Sequence, residues 1–487
     1  MLVINESSKT PLYIQLYQQI KSDIFNGALK PGTKLMSSRT VSEELHISRN
    51  TVKLAYDQLF AEGIIASVQR KGYYVESLDV DAFPHNTCLC SVVCNCADGC
   101  TCSGGCVCEV CARKKSSETQ KQDIVYDFRC DKPLLFWFPC NQWQRLINKC
   151  FHEYREDFAC PKAVFGETGL RTEIQRFIHS YRDVDCTVEQ IVLTMDTQFC
   201  LDIVCQLLKP MDKEPNVAVE EPGLDQSRIT FQNNGLRICP MELDQHGAVI
   251  SALTKMDVIA AYLTPSHQFP TGVVMPLPRR NEVAEWAMRK DAYIIEDDYN
   301  CYFQYGVRPL PSLQSLCADR TFYINSFSNI LFPCINVSYM VVPEKLLARL
   351  HNLFDNHGPF VSFLTQKPLE LFMKEGLWES HLRKVRKNQN AKCETLVNAL
   401  KNRFGDSISI SGSSAGLHLL VHPNWTVTED ALINCAHQAG VGVSPISGYW
   451  IKPERKQDGT VLLNYAGIAL KDIPAAVNLL YEAWREM

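Results

Sequence analysis

The most unusual chemistry in this chain lies in its cysteines. Nine of them fall within residues 88–111: Cys88, Cys90, Cys94, Cys96, Cys100, Cys102, Cys106, Cys108 and Cys111. Cys-x-Cys pairs recur at a six-residue period, and Cys111 closes a final Cys-x-x-Cys. The residues between them are small or turn-forming, such as Asp98-Gly99 and Gly104-Gly105. Such a segment cannot bury a core of its own. Clustered thiolates repel unless a cation neutralises them, so the spacing predicts a soft or borderline metal: zinc, copper(I), cadmium or an iron–sulphur cluster. A closed zinc site takes about four ligands, so nine thiolates would serve two sites, or more with bridging sulphurs. The two plainer readings are a thiol-rich linker without metal and a stack of regulatory disulfides. The spacing, and only the spacing, resembles that of metallothioneins.

A second group of residues suits nucleic acid. Ser48, Arg49, Asn50, Thr51 and Lys53 open one helical pattern, and Arg70 and Lys71 sit on a basic tip. Arginine and asparagine offer donors that match guanine, adenine or phosphate. The elements that would position them are legible. Tyr13, Leu16, Tyr17, Ile20 and Ile24 recur at three- and four-residue steps across 11–26, one face of a helix. Gly27 and Pro31-Gly32 predict a stop and a turn. A short helix follows near Thr40–Leu45, then a tight turn at His46-Ile47. Ser48 is a good N-cap for a helix over Arg49–Glu62, which Gly63 ends. Ile64–Val68 and Tyr73–Val75 read as two small strands around Gln69-Arg70-Lys71-Gly72. Helix, helix–turn–helix and wing make a reader whose second helix enters the major groove of double-stranded operator DNA. A small helical packing domain is the plainer alternative.

The chain as a whole has 487 residues, too many for one core. Its net charge of −5 excludes general polyanion binding, so any nucleic-acid surface must be local. Residues 1–77 carry nine Lys/Arg against seven Asp/Glu. A composition of 46% hydrophobic and 21% charged residues is ordinary for a globular protein. No signal peptide and no bilayer-length apolar run is visible, so a cytoplasmic protein with no membrane partner is expected. In that setting most of the other thirteen cysteines are expected as small buried apolar residues. Three regions are expected: a DNA-binding domain over 1–77, a cysteine-rich linker over 78–122, and a large domain over 123–487. The last alternates β-branched runs with helical patterns, which predicts an α/β fold with a largely parallel sheet.

The run PLYIQLYQQI…GALKPGTKL…SSRTVSEELHISRNTVKLAYDQLFAEGII closely resembles the GntR-type winged helix. The resemblance implies operator contacts from Arg39 and from Ser48–Thr51. Met36 replaces the proline usual before Ser-Ser-Arg, and Gln69-Arg70-Lys71 replaces a glycine-rich wing. Residues 123–487 resemble fold-type-I aminotransferases, specifically the MocR subfamily of GntR regulators. The resemblance rests on YDFRCDKPLLFWFP, FGETGLR at 165–171, VAVEEPG at 217–223, LTPSHQFPTGVVMPLPRR at 263–280, YIIEDDYNCYFQY at 293–305, SFSNILFPCINVSYMVVP at 326–343, GLHLLVHP at 416–423 and LLNYAGIAL at 462–470. A cysteine insert is not part of the usual linker. The resemblance implies a homodimer, which would set two readers on one operator.

The same resemblance implies a pyridoxal-phosphate pocket. Asp297 matches the carboxylate that keeps the pyridine ring cationic, and Tyr299 matches the partner of the ring oxygen. Of the acids Glu296, Asp297 and Asp298, at least one is expected to be merely solvated. Ser326, Ser328 and Thr197 remain from the family pattern, and His267 lies in the PSHQFPTG loop, as either a ligand contact or a core histidine. Three supports have gone. The Schiff-base lysine is Asn329, the phosphate-gripping arginine is Asn336, and Ser-Gly-Thr-Gln at the phosphate-binding helix start reads Met195-Asp196-Thr197-Gln198. Only an amine condenses with the aldehyde, and a carboxylate beside a phosphate is repulsive. The expectation is therefore a transcription regulator with no catalytic residues. Its degenerate cleft would bind a small-molecule effector, with weak non-covalent binding of a pyridoxal compound, or of a ligand without an anion, as the remaining ligand classes. The alternatives are a working aminotransferase fused to a DNA reader, which Asn329 opposes, and a metal-buffering or redox protein with a vestigial reader, which the intact Ser48–Thr51 turn opposes.

Overall fold

A computed structural model describes residues 11–25, 27–45, 47–68, 72–76, 124–129, 138–159, 163–209, 215–305, 310–331, 335–452, 459–485 and 487. The chain divides into two compact units, 1–117 and 118–487. The nine linker cysteines, Arg70 and Lys71 lie outside the described residues, as does His46.

In the first unit, helices α1 (Leu12–Phe25), α2 (Ser38–Glu44) and α3 (Arg49–Ala61) precede an antiparallel pair, β1 (Ile65–Val68) and β2 (Gly72–Val75). Leu16, Ile20 and Ile24 bury the inner face of α1 against Val41, Val52, Ala55, Leu59 and Val75. Tyr13, expected on that face, is 37% exposed. Tyr17 sits at the margin, where its hydroxyl donates to Glu62 at 2.6 Å. At about 100° per residue Tyr17 lies about 60° from the mean direction of 16, 20 and 24, which puts it at the margin, whereas Tyr13 shares their direction but sits in the first turn of α1, at the end of the buried face. Ser37 caps α2 and Ser48 caps α3, each accepting a backbone N–H from three residues on, at 3.1 Å. Gly63 then turns the chain with a φ of 69°.

The second unit is built on an eight-stranded sheet. Its strands are β3 (Ile191–Thr194), β4 (Asn216–Glu221), β5 (Arg237–Asp244), β6 (Gly247–Ala248), β7 (Ala260–Leu263), β8 (Tyr293–Asp297), β9 (Thr321–Ser326) and β10 (Ser338–Val341). Their order is β3-β10-β9-β8-β7-β4-β5-β6. The run from β9 through β8, β7 and β4 to β5 is parallel, whereas β10 and β6 pair antiparallel. Strands β3, β7 and β9 are buried on both faces, which is why β3 and β7 read as short continuous apolar runs, whereas β5 near the sheet edge is largely half-buried or exposed. Helix α4 (Thr168–Arg182) brings Leu170, Ile174 and Ile178 to one core cluster. Helix α5 (Thr197–Leu208) covers one face through Leu201, Ile203 and Val204 against Val217, Val219, Ile295 and Ile324. Helix α6 (Leu277–Lys290) covers the other through Val283, Trp286 and Ala287. The long helix α7 (Leu377–Phe404) then leads to a four-stranded antiparallel sheet, ordered β11 (Ile408–Ser411), β12 (His418–Pro423), β14 (Val461–Asn464), β13 (Ser444–Pro445). The C-terminal helix α8 (Ile473–Trp484) packs on α7, sharing a core with it and this smaller sheet.

Candidate functional sites

On the first unit, the residues expected to read DNA lie at the start of α3. Arg49, Asn50 and Lys53 are exposed. The Ser48 and Thr51 hydroxyls bond each other at 2.8 Å, so they hold the turn that aims those side chains. Arg39 is exposed on α2, with its Nε donating to Glu43 at 2.9 Å. The rear of α3 is pinned to α1: Lys21 Nζ and the Tyr17 hydroxyl both donate to Glu62 at 2.6 Å, and Gln58 donates at 2.9 Å. Burial pushes the Glu62 carboxyl up, but these hydrogen bonds outweigh it and hold it down at about 2.

On the second unit, cross-strand register explains how the cleft residues meet. Thr194 pairs with Ser338 and Ser338 with Ser326, across β3, β10 and β9. Ile324, two residues before Ser326 on the same face, pairs with Asp297. The face packed under α5 is therefore apolar along most of its length and turns polar at one end. Asp297 is only 5% exposed. The Tyr262 hydroxyl donates to its Oδ2 at 2.6 Å, and its Oδ1 has no partner among the described residues. Burial pushes this carboxyl up to about 6.

All three acids of the Glu296-Asp297-Asp298 run are buried, which corrects the expectation that one is merely solvated. Glu296 accepts the N–H groups of Leu313 and Gln314 at 2.9 and 3.0 Å, at the start of a short helix. Asp298 accepts from Arg182 Nε at 2.7 Å, from the Tyr323 hydroxyl at 2.8 Å and from Ser266. Their partners come from distant parts of the sequence, which is why the run looked solvated.

The remaining cleft residues are tied to their own chain. The Asn329 amide donates to the Tyr299 carbonyl at 3.2 Å, and the Tyr299 hydroxyl donates to the His267 carbonyl at 3.0 Å. Ser326 and Ser328 hydroxyls turn to the Val337 and Ile335 carbonyls, each at 3.4 Å. Asn336 is exposed. Thr197 is the first residue of α5, and Asp196 is its N-cap, accepting the Phe199 N–H at 2.7 Å. His267 is buried with its ring 4.6 Å from that of His418. A Cβ on Gly416 would come within 2.1 Å of the His267 ring, so the imidazole is packed directly on backbone, as a core histidine is. Burial, and then His418, push the His267 pKa down, so the ring is neutral.

Several positioning residues carried no signal that the motifs reveal. Glu220 accepts from Thr264 N at 3.2 Å and Gln268 Nε2 at 3.3 Å, anchoring the PSHQFPTG loop, and burial pushes its carboxyl up to about 7. An apolar group of Phe269, Leu420, Ile446 and Leu462, with Tyr299, Tyr449 and Trp450 partly buried around it, joins this loop to the smaller sheet. The Asp196 cap is the one feature that a local signal could have revealed, since Asp before a helical pattern is a start signal.

These residues do not fit pyridoxal phosphate. The carboxylate that the resemblance assigns to the pyridine ring is present in Asp297. The amine is absent at Asn329, the cation at Asn336 is absent, and the N–H donor of Phe199 at the helix start is taken by a carboxylate of the chain itself.

Fold and site thus define a winged-helix DNA reader joined to an aminotransferase-like domain. Residues 12–75 match the family described as "Bacterial regulatory proteins, gntR family", and residues 160–478 match "Aminotransferase class I and II". The chain is 32% identical over 490 residues to the HTH-type transcriptional regulator YdeL of Bacillus subtilis (strain 168), covering 99% of this chain and 98% of that protein. It is 29% identical over 489 residues to the probable rhizopine catabolism regulatory protein MocR of Rhizobium meliloti, covering 99% and 96%. Among solved structures, the multiple substrate aminotransferase from Thermococcus profundus superposes with a TM-score of 0.67 at 19% identity, covering 78% of this chain and 94% of that one. That likeness is one of fold. The chain belongs to the MocR subfamily of GntR transcription regulators. Among the described residues no helix is long and apolar enough to cross a membrane.

Proposed function

We propose that this regulator has no aminotransferase activity and uses its large domain to bind an effector and to dimerise, while Arg39, Arg49, Asn50 and Lys53, with Arg70 and Lys71 on the wing, read operator DNA in the cytoplasm. The observation that carries the reading is Asn329. A carboxamide that donates to the Tyr299 carbonyl has no nucleophilic lone pair to offer an aldehyde. A two-fold dimer would set two readers on successive major-groove faces. The domain limits 1–77, 78–122 and 123–487 follow from this division of labour. We further propose that Cys88–Cys111 hold zinc, copper or another thiophilic metal, or respond to oxidant. Ordering the linker would then change how the two readers are held, because binding to one state shifts the equilibrium toward it.

The test is a footprint of the full chain on DNA flanking its own gene, run beside an assay of amino-group transfer with pyridoxal phosphate supplied. Protected, paired half-sites and no turnover are expected. Turnover by the purified wild type, with an adduct trapped by borohydride on this chain, would overturn the reading in favour of a working aminotransferase. For the linker, operator affinity is measured with and without zinc or copper(I) in wild type and in a variant with all nine cysteines changed to serine. An equal response in both would exclude the linker as sensor.

A further inference from the structure

Asp297 is a buried carboxylate whose Oδ2 accepts from Tyr262 and whose Oδ1 makes no hydrogen bond of good geometry among the described residues, the Tyr299 backbone N–H favouring its charge from nearby. Ser338 is only 1% exposed, and its hydroxyl likewise has no partner among them. The two lie on the same sheet face, at the polar end, with Ser326 and Thr194 in register beside Ser338. Buried polar atoms are nearly always paired, and an acceptor left without a donor is destabilising, more so when it is charged. Two such atoms on one face point to a donor supplied from outside the chain.

The surroundings decide the sign of that donor's molecule. The groups acting on the Asp297 charge are Tyr262, Asp298 and the Tyr299 backbone, none of them a cation. At the two positions where the fold would place cations, Asn329 and Asn336 are neutral. At the start of α5 the carboxylate of Asp196 already accepts the Phe199 N–H, so an incoming anion would lose a donor and meet a like charge.

We infer that this cleft selects a phosphate-free ligand with a protonated nitrogen, an aromatic heterocycle or an amine, whose N–H is donated to Asp297 Oδ1. The inference rests on the reading of the large domain as an effector-binding module and names the ligand's chemistry.

The experiment uses a matched pair that lacks the aldehyde and so forms no Schiff base: pyridoxamine and pyridoxamine 5′-phosphate. Both are titrated into the full-length protein by calorimetry. Pyridoxamine is expected to bind, with the phosphate ester at least about tenfold weaker. Asp297→Asn is expected to weaken pyridoxamine by about tenfold or more. Asp196→Gly combined with Asn336→Arg is expected to reverse the preference within the pair. Equal or tighter binding of the phosphate ester by wild type overturns the inference, as does failure of both probes at millimolar concentration, or a folded Asp297→Asn that binds like wild type. The wild-type comparison decides even where Asp297→Asn does not fold. Binding is read without DNA, so a protein that protects its operator but ignores pyridoxamine refutes this inference and leaves the regulator reading intact. One that binds pyridoxamine but no DNA does the reverse.

Discussion

Arg182, the last residue of α4, holds Asp298 at 2.7 Å just past the end of β8, and both side chains are wholly buried. A second guanidinium nitrogen donates to Ser266 at 2.9 Å, and a third donates to the Leu310 carbonyl. One arginine thus fixes the acid run, the PSHQFPTG loop and residue 310 together. Removing one member of a buried ion pair leaves the other charge uncompensated, which costs about 3–5 kcal/mol. Arg182→Met and Asp298→Asn each leave one buried charge uncompensated, and Asn keeps only one of the two oxygens that accept from Arg182, Tyr323 and Ser266, so each is expected to lower stability by that amount. Denaturant midpoints of the two variants check this. Equal small losses would mean the pair is not the pin of this end of the sheet.

The pair also marks where sequence reading stops. The reader domain was legible because its signals are local. Ser48 caps the helix that follows it, Gly63 ends it, and Leu16, Ile20 and Ile24 repeat at helical spacing. Strands such as Ile191–Thr194 and Ala260–Leu263 were legible because burial on both faces makes them largely apolar. Asp298, by contrast, finds its cation 116 residues away, and nothing adjacent in sequence announces that pairing. Three acids in a row therefore read as partly solvated, although each has buried partners. Asp196 was legible in kind and incomplete in consequence. As a carboxylate it is hostile to phosphate, and as an N-cap it also occupies the donor that phosphate would use. His267 stayed open between ligand contact and core because only the glycines packed on its ring decide that.

Asp297 gives stability a pH dependence whose sign follows from burial. Its carboxyl moves from an ordinary 3.8 up to about 6 in the folded protein. The native state then holds a proton that the unfolded chain releases between these values. Stability from this group is therefore fully present below about pH 4 and is lost as pH rises through about 6. The displacement corresponds to roughly 3 kcal/mol as an upper order of magnitude. Asp297→Asn removes the titration. Unfolding midpoints at pH 4.5 and 7 are expected to differ less in the variant than in wild type. Identical differences would mean that Glu220 or Glu296, also pushed up by burial, carries the dependence instead.

On the reader, the cap and the contact residues should separate. Ser48→Ala removes the acceptor of the Thr51 N–H and is expected to cost about 1 kcal/mol of stability. Arg49→Ala touches no buried group and should leave the melting temperature unchanged. It is expected to weaken operator binding and, if the contact is to phosphate, to lower the slope of log affinity against log salt by about one. Fluorescence anisotropy at several salt concentrations distinguishes the two. An Arg49→Ala protein with unchanged affinity at every salt would remove Arg49 from the interface.

His267 and Gly416 offer a packing test of the loop. Gly416 has a φ of 78°, and an added Cβ would lie 2.1 Å from the imidazole Cε1. Gly416→Ala is expected to destabilise by about 2–4 kcal/mol, from overpacking together with backbone strain. His267→Ala removes the obstacle but not the strain, so the double variant should recover part of the loss when compared with His267→Ala alone. No recovery in that cycle would mean the imidazole moves aside freely and does not brace the loop.

Restoring the lysine tests whether three losses or one disabled the cofactor site. Asn329→Lys supplies an amine, but the exposed Asn336 still offers no counter-charge and Asp196 still caps α5. An aldehyde condenses with an amine only while it is held beside it, and holding a phosphate dianion needs donors and positive charge. Asn329→Lys alone is therefore expected to yield no adduct of defined stoichiometry when pyridoxal phosphate is added and borohydride follows. The triple variant Asn329→Lys, Asn336→Arg, Asp196→Gly is expected to yield one adduct per chain, localised to position 329 by peptide mass. A full adduct on the single variant would mean that the pocket still grips phosphate by groups outside these three positions. The carboxylate cap of α5 would then not be what keeps phosphate out.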